Sequence, residues 1–518
     1  MKRRVANLLL VAASIFVCTI VAEGIVREID GHPLFVWRLQ DAPIGSSGND
    51  DVTPEELDQV QLASGVKRGW FFNDPPVLPN RRHPPDEWVK LYDYLNRNPA
   101  PPNAWQFMPS DAFKAWNSVF IGDPCKHIAL RYAPGRLFVY DPPDGIGSPM
   151  YRFPPDVTLP DGLVTNQIGW RGRPIQVPRA ERTVRIVFVG SSTVVDAHNY
   201  PFSHSDFVGQ WLNLWAAGRG LDVRFEVLNA AREGLRSADI AAVVHNEVLP
   251  LRPDLVLYYE GGNQFDLDSI VDNKVPDSTA VQTERKAVPL WLRRASRYSA
   301  LLARLEAAIG LLASDWEGRE WPKPDYHVVW PAGLDEFDPD LSFPRLPVHL
   351  NAIQRDLDRI RTDLSSVGAQ FALSSFVWLV KDGMVLDPIR GRYTLKQLNV
   401  YKYPFRYRDL ERLAKFQNRV FAKYAASHGM TFVDVARYMP FDPDLFTDAV
   451  HFSYGGTRLR AWIILQQLLP AIEKYVTDQT WPKPVPDKEA SSSTTFTPRL
   501  ITFDCTPPAT YAVKENAL

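Results

Sequence analysis

A run of hydroxyls after an apolar strand and a distant Asp-x-x-His are the places where this chain offers a nucleophile and a base. The first is Val184 to Thr193, Val-Arg-Ile-Val-Phe-Val-Gly-Ser-Ser-Thr. Ile186 to Val189 form the β-branched and aromatic run of a buried strand. Gly190 lets the chain turn sharply, and Ser191, Ser192 and Thr193 follow at once. Side chains placed there stand at the carboxyl end of a sheet, the edge where open α/β sheets bind ligands. A serine at that edge acts as a nucleophile when a histidine and a carboxylate reach it from elsewhere. The plain alternative is a strand–turn–helix with a serine cap. The second stretch is Leu445-Phe446-Thr447-Asp448-Ala449-Val450-His451-Phe452-Ser453. In a compact turn Asp448 accepts the Nδ1 hydrogen of His451, leaving Nε2 to face a serine hydroxyl. By itself an Asp-x-x-His is weak, because caps and surface pairs make many of them.

These side chains meet only if the elements between them deliver both to one edge. From Thr183 the pattern alternates. Strand Val184–Val189 precedes a helix from Ser205 to Ala217, with Phe207, Val208, Trp211, Leu212 and Trp215 on one face. Strand Val223–Leu228 ends in the polar turn Asn229 to Gly234. A helix from Ser237, read as its N-cap, to about Leu249 follows. Strand Leu255–Tyr259 then runs into Glu260-Gly261-Gly262-Asn263. Strands separated by helices of this length form βαβ units in a parallel sheet, and right-handed crossovers bring their carboxyl ends to one edge. Ser192, Gly234 and Asn263 should gather there. Further on, His349 to Ser366 reads as a helix and Phe371 to Leu379 as a strand. Arg406 to His428 is a helix, Thr431 to Val435 the last strand and Tyr454 to Tyr475 the closing helix. Acyl transfer also needs donors for a developing oxyanion. The backbone N–H of Ser192, the backbone N–H of Gly234 and the side-chain amide of Asn263 are the candidates. Taken singly, Gly234 is an ordinary turn glycine and Asn263 an Asx-type turn.

In order and at successive strand ends, the four stretches resemble the blocks of the SGNH (GDSL-like) hydrolase family. Gly190-Ser191-Ser192-Thr193 is similar to the first block, with Ser192 at the nucleophile position. Asn229 through Gly234 resembles the second, with Gly234 at the oxyanion glycine. Gly261-Gly262-Asn263 resembles the third, with Asn263 at the oxyanion asparagine. Asp448 to His451 resembles the last, which supplies the remaining triad members. The resemblance spans roughly residues 160 to 476. It includes a lead-in, Asn166-Gln167-Ile168-Gly169-Trp170-Arg171-Gly172, like that of exported, membrane-anchored bacterial members. One departure is Ser191, which stands where the family's usual Gly-Asp-Ser has Asp, and it leaves Ser191 open as the reactive hydroxyl. The resemblance implies a three-layer α/β/α fold with a central parallel sheet and ester chemistry without metal or cofactor. Three functions remain compatible with it. They are hydrolysis of an envelope ester such as an O-acyl group on a polysaccharide, O-acyl transfer by the same triad, and non-catalytic glycan binding or assembly.

The rest of the chain frames this region. Lys2, Arg3 and Arg4 precede the uncharged run Val5 to Ala22, eighteen residues that just span a bilayer. The basic cluster stays cytoplasmic, so residues beyond Glu23 are expected outside, in the periplasm or beyond the cell, whether the segment is an anchor or a cleaved signal peptide. We divide the chain into an anchor at 1–27, an irregular accessory region at 28–182, the hydrolase-like region at 183–476 and a Pro/Ser/Thr-rich tail at 477–518. In the accessory region Pro54 to Leu62 and Asp86 to Leu95 read as helices and Leu137 to Tyr140 as a strand. An insertion at 264–347 is expected over the active edge, with an amphipathic helix from about Leu290 to Leu312. Cys125 and Cys505 remain as an even pair beside Cys18, and a disulfide between them would tie the accessory region to the tail. The formal net charge of -2 provides no basic field for nucleic acid. Oligomeric state is not legible in the sequence.

Overall fold

The computed structural model describes residues 2–30 with a few positions up to 39, 52–78, 136–141, most of 153–271, 289–311, 318–484 and 497–502. In chain order the elements used below are α1 (Lys2–Ile29), β1 (Arg136–Asp141), β2 (Thr183–Gly190), α2 (Ser192–Val195), α3 (His204–Gly218), β3 (Arg224–Asn229), α4 (Ser237–Val243), β4 (Leu255–Tyr259), α5 (Leu290–Ala295), α6 (Ala300–Leu311), α7 (Leu350–Ser366), β5 (Gln370–Ser374), α8 (Arg392–Lys396), α9 (Tyr407–Ser427), β6 (Thr431–Val433), α10 (Tyr454–Thr477) and β7 (Thr497–Thr502).

Five strands form one sheet in the order β3-β2-β4-β5-β6, every neighbouring pair parallel. All eight residues of β2 and all five of β4 are buried. Strands covered on both faces read as continuous apolar runs, and Ile186–Val189 and Leu255–Tyr259 do so. Helices α3 and α10 pack together on one side, while α4, α7 and α9 pack in sequence on the other. The result is an α/β fold of three layers. From β2 the chain builds β3 to one side and β4 to the other, so the strand order reverses there. The carboxyl ends of β2 and β4 flank that switch point, where a parallel sheet leaves a crevice. A second, two-stranded sheet pairs β1 with β7 antiparallel, Arg136 opposite Thr502.

Several expectations shift for physical reasons. Arg236, not Ser237, caps α4. Ser237 instead donates its hydroxyl to Asp356 on α7 at 2.5 Å, and Asp239 accepts the Arg236 N–H at 3.0 Å. Helix α4 is regular only to Val243 and ends through a π-turn, Val244–Val248. The expected strand Phe371–Leu379 leaves the sheet at Ser374, because its neighbour β6 has only three residues. Residues past Ser374 instead cross the carboxyl edge of the sheet, where the Leu379 N–H donates to the Ala449 carbonyl at 2.7 Å. The expected helix Leu290–Leu312 is broken into α5 and α6. Glu23 of α1 accepts the N–H groups of Ala300 and Leu301 and so supplies a helix start in mid-segment. The later part of the insertion follows α9. The Tyr326 hydroxyl donates to Asp409 at 2.5 Å, and Glu336 accepts from Arg412 at 2.8 Å further along the helix. The tail past Thr477 contributes β7, which its composition did not announce. The helix expected at Asp86–Leu95 lies outside the described residues, as do Cys125 and Cys505. Among the described residues Cys18 is a free, exposed thiol. One described helix segment, Leu10–Ile29, is long and apolar enough to cross a membrane, with a mean hydropathy of 1.9.

Gly190 is where the sheet hands over to the site. A Cβ there would collide with the Tyr259 carbonyl oxygen and the Val194 side chain. Gly190→Ala should therefore cost about 1–3 kcal/mol of overpacking in chemical denaturation. Gly209→Ala, inside α3 with its nearest neighbour at an ordinary 3.4 Å, should be neutral or gain up to about 1 kcal/mol.

Candidate active site

The two neighbouring serines after β2 point different ways. Ser191 is buried at 1% exposure and donates its hydroxyl to Glu260, the residue after β4. Ser192 opens α2 and is partly exposed, with its Oγ 2.7 Å from His451 Nε2. Across the imidazole, Nδ1 lies 2.6 Å from Asp448 Oδ2. The other oxygen of Asp448 accepts the N–H groups of Val450 and His451, each at 2.8 Å, so aspartate and histidine are fixed within one turn. That turn is a small closed loop: Phe446 and Phe452 bridge its base, and the Thr447 N–H donates to the His451 carbonyl at 2.9 Å. Gln397 Oε1 accepts the Ala449 N–H at 2.8 Å from outside. The structure thus joins Ser192, His451 and Asp448 in a continuous hydrogen-bonded row. With Asp448 on Nδ1, the neutral ring presents its unprotonated Nε2 to the serine hydroxyl.

The charges around the ring are mostly negative. Burial alone would lower the His451 pKa, but Asp448, by charge and hydrogen bond, and the more distant Glu260 and Glu233 outweigh it and raise it above its ordinary value. Burial raises Asp448, yet the charge and hydrogen bonds of His451 bring it below its ordinary value. Glu260 is held up by burial against the hydrogen bonds it accepts from the Asn263 N–H, Ser191 and the Gly262 N–H.

Gly234 and Asn263 come together at the same edge. Gly234 adopts φ +72°, a left-handed conformation that favours glycine. The Asn263 side-chain amide donates one hydrogen to the carbonyl of Leu235, the residue after Gly234, at 2.8 Å. Asn263 is exposed, and its own N–H and that of Gly262 are fixed on Glu260 Oε1 at 2.8 and 2.7 Å. The amide keeps a second hydrogen, as an oxyanion donor requires.

Beneath the serine turn lies a buried ionic cluster that the sequence reading did not single out. Asp196, in the left-handed region at φ +64°, ends α2. Its carboxylate faces Arg460 of α10 and accepts the His204 N–H at 2.8 Å, with His204 Nδ1 at 2.7 Å. Arg460 also donates to the Thr193 carbonyl, and its guanidinium lies over the rings of Tyr259 and Phe452. Arg171, from the lead-in, donates to the carbonyls of Val195 at 2.7 Å, Ala197 at 2.8 Å and Tyr200 at 2.6 Å. Burial would raise Asp196, but Arg460, His204 and Arg171 bring it down to about 2. Burial and then the Arg460 charge push His204 down to about 4, against the pull of Asp196. Glu260, a carboxylate directly after an apolar strand and before two glycines, carries a local signal in the sequence that could have singled it out. The arginines gave no such signal, because each lies far from the serine in sequence. Among the described residues no group of three or more His, Cys, Asp or Glu side chains is placed to hold a metal ion.

No family model matches the chain, and no curated protein sequence matches it. Solved structures resemble it loosely. A lipase/acylhydrolase from Enterococcus faecalis is 15% identical, at a TM-score of 0.29, over 56% of this chain and 96% of its own. An acetylxylan esterase from Geobacillus stearothermophilus is 14% identical, at a TM-score of 0.30, over 56% and 96%. A GDSL-like lipase from Bacteroides thetaiotaomicron is 11% identical, at a TM-score of 0.27, over 56% and 88%. Superpositions this loose say nothing of function.

The two histidines should titrate apart when followed by NMR. His451 should pass its midpoint above 6.5, and Asp448→Asn should bring that midpoint down, since the largest group stabilising the imidazolium is then neutral. His204 should titrate near 4. Arg460→Met should move it upward, because the opposing cation is gone while Asp196 remains. That variant leaves a buried carboxylate without its main partner and should lose about 3–5 kcal/mol of stability.

Proposed function

We propose that this chain is a serine esterase of the SGNH (GDSL-like) type. Its substrate on this reading is an O-acyl ester of an envelope polysaccharide or glycan, and α1 anchors it in the membrane with the catalytic region outside. The row Ser192–His451–Asp448 carries the proposal. A hydroxyl 2.7 Å from an imidazole nitrogen, whose other nitrogen is fixed on a carboxylate at 2.6 Å, is the arrangement that activates a serine.

The chemistry follows from the geometry. Ser192 Oγ attacks the ester carbonyl carbon as His451 Nε2 takes the hydroxyl proton, and Asp448 stabilises the imidazolium. The carbonyl oxygen takes up the negative charge. The N–H groups of Ser192 and Gly234 and the Asn263 amide are the donors assigned to it. Collapse of the tetrahedral intermediate breaks the bond to the alcohol oxygen, which takes the proton from His451 and departs. Water then repeats the sequence on the acyl-serine, with His451 as base, and releases the carboxylic acid. Ser191 has no part in bond making on this reading, because its hydroxyl is spent on Glu260. The support for a membrane anchor is the apolar helix that continues into α1's contacts with the folded chain. The support for a glycan ester is indirect: the site is an edge crevice of an exported-type chain rich in aromatic residues.

Turnover of p-nitrophenyl acetate tests this reading. Ser192→Ala and His451→Ala should fall to background, and Asp448→Asn should lose about 10²–10⁴-fold. Ser191→Ala should stay within about tenfold, having lost one buried hydrogen bond. An active Ser192→Ala with a dead Ser191→Ala would reverse the assignment of the nucleophile. Product analysis with and without a sugar acceptor separates hydrolysis from acyl transfer.

A further inference from the structure

Helix α1 runs on past its apolar run, which ends at Ala22, to Ile29, and this extension is built into the folded chain. Glu23 accepts the Ala300 N–H at 2.8 Å, the Leu301 N–H at 3.1 Å and the Ser299 hydroxyl at 2.7 Å. Arg27 is paired with Glu23 at 2.7 Å and donates to the carbonyls of Tyr298 at 3.1 Å and Leu34 at 3.2 Å. Asp30 accepts from Arg304 Nε at 3.1 Å. Because Glu23 meets 299–301 and Asp30 meets 304, α6 rises beside α1 in the same direction. Its first turn therefore stands at the height where the apolar run ends. After α1 the chain doubles back, with the His32 N–H on the Arg27 carbonyl at 2.8 Å, and Leu34 returns to the height of Arg27.

Two segments thus arrive at one level of the helix, just above the apolar run, and both present bare aromatic rings. Phe35 is 99% exposed and Trp37 86%; Trp291 is 64% exposed and Tyr298 48%. The Leu34 and Tyr298 carbonyls meet on Arg27, and large exposed aromatic residues on two such neighbouring segments mark an interaction surface. Trp and Tyr at this height are the side chains that settle at a membrane–water interface.

We propose that Phe35, Trp37, Trp291 and Tyr298 form a collar around the exit of α1 and enter the interfacial layer of the bilayer that α1 crosses. The proposal rests on α1 being an uncleaved anchor. It also places the catalytic site. From Asp30, Arg304 reaches on to Asp387 at 3.4 Å, and the charge of Arg392, the first residue of α8, is felt at His32. Helix α8, about 7 Å long, leads straight into Gln397, which holds the Ala449 N–H of the histidine loop. One short helix separates the Asp30 end of these contacts, about 10 Å beyond Glu23 along α1, from the histidine loop, so the site takes acyl esters presented near the membrane surface.

The test uses the full-length chain in vesicles of phosphatidylcholine with a minority of phosphatidylglycerol. An environment-sensitive fluorescent amino acid replaces, one at a time, Phe16, Trp37, Tyr298 or Ile309, and quenching by brominated lipids is compared with quenching by aqueous iodide. Probes at 37 and 298 should be quenched several-fold more by shallow brominated lipid than the probe at 309. Position 309 lies about 13 Å further along α6 and should answer to iodide. The probe at 16 reports α1 itself through deeply brominated lipid. If 16 responds while 37 and 298 behave like 309, the collar is wrong and the anchor stands. If 16 is silent too, the anchor reading fails and takes the collar with it. Circular dichroism of each labelled protein, matched to the parent, confirms that the probes report the folded chain.

Discussion

Arg460 stands where the sheet, the serine turn and the histidine loop touch. Its guanidinium donates to the Thr193 carbonyl and Asp196, and it lies over Tyr259 at the end of β4 and Phe452 beside His451. A cation with 0% exposure needs its charge answered. Asp196 answers the charge, and the Thr193 carbonyl within α2 takes a second donor, while Nε has no protein partner among the described residues. The planar fork also stacks on rings, which a lysine ammonium does not do in the same way. Arg171 donates to three backbone carbonyls at the opposite end of the turn. Between them they occupy carbonyls that a four-residue helix leaves without partners, and Ser192 is held at one height above the sheet.

Glu260 accounts for a hydroxyl, not a carboxylate, at residue 191. Its carboxylate already occupies the space beside residue 191 and organises the Gly262 and Asn263 N–H groups. An aspartate at 191 would set a second carboxylate against it in a buried site, where two such groups cannot both ionise. A neutral hydroxyl removes the conflict and adds a donor. Ser191 and Glu260 therefore read as a matched pair, a hydroxyl beside a carboxylate at the end of β4. The charge of Glu260 reaches His451 and helps to hold its imidazolium form.

Much of the fold was legible because its pattern is local. Strand β4 has the bounds its apolar run gives, and β2, α3, α9 and α10 differ from expectation by a residue or two, since burial on known faces dictates periodicity. Ser192, Asp448 and His451 were legible as side chains at strand ends. What brings them to bonding distance was not legible. Arg460 reads in sequence as one more residue of an amphipathic helix, and Arg171 as part of a lead-in noticed only for its resemblance. Long-range contacts of this kind leave no periodic trace. The same holds in part for the break between α5 and α6, where Glu23, far away in sequence, joins the local Ser299 cap in setting the new helix start. Strand β7 was hidden by a tail whose composition reads as loop.

The pairing of β1 with β7 has a bearing on how the molecule is completed. The whole five-stranded sheet lies between these strands in sequence, so β1 emerges long before its partner exists. An unpaired edge strand is a template for association with other chains, and pairing across so wide a sequence gap is intrinsically slow. The small sheet therefore works as a final fastening: a chain read only as far as α10 holds every group of the serine site yet carries an open seam.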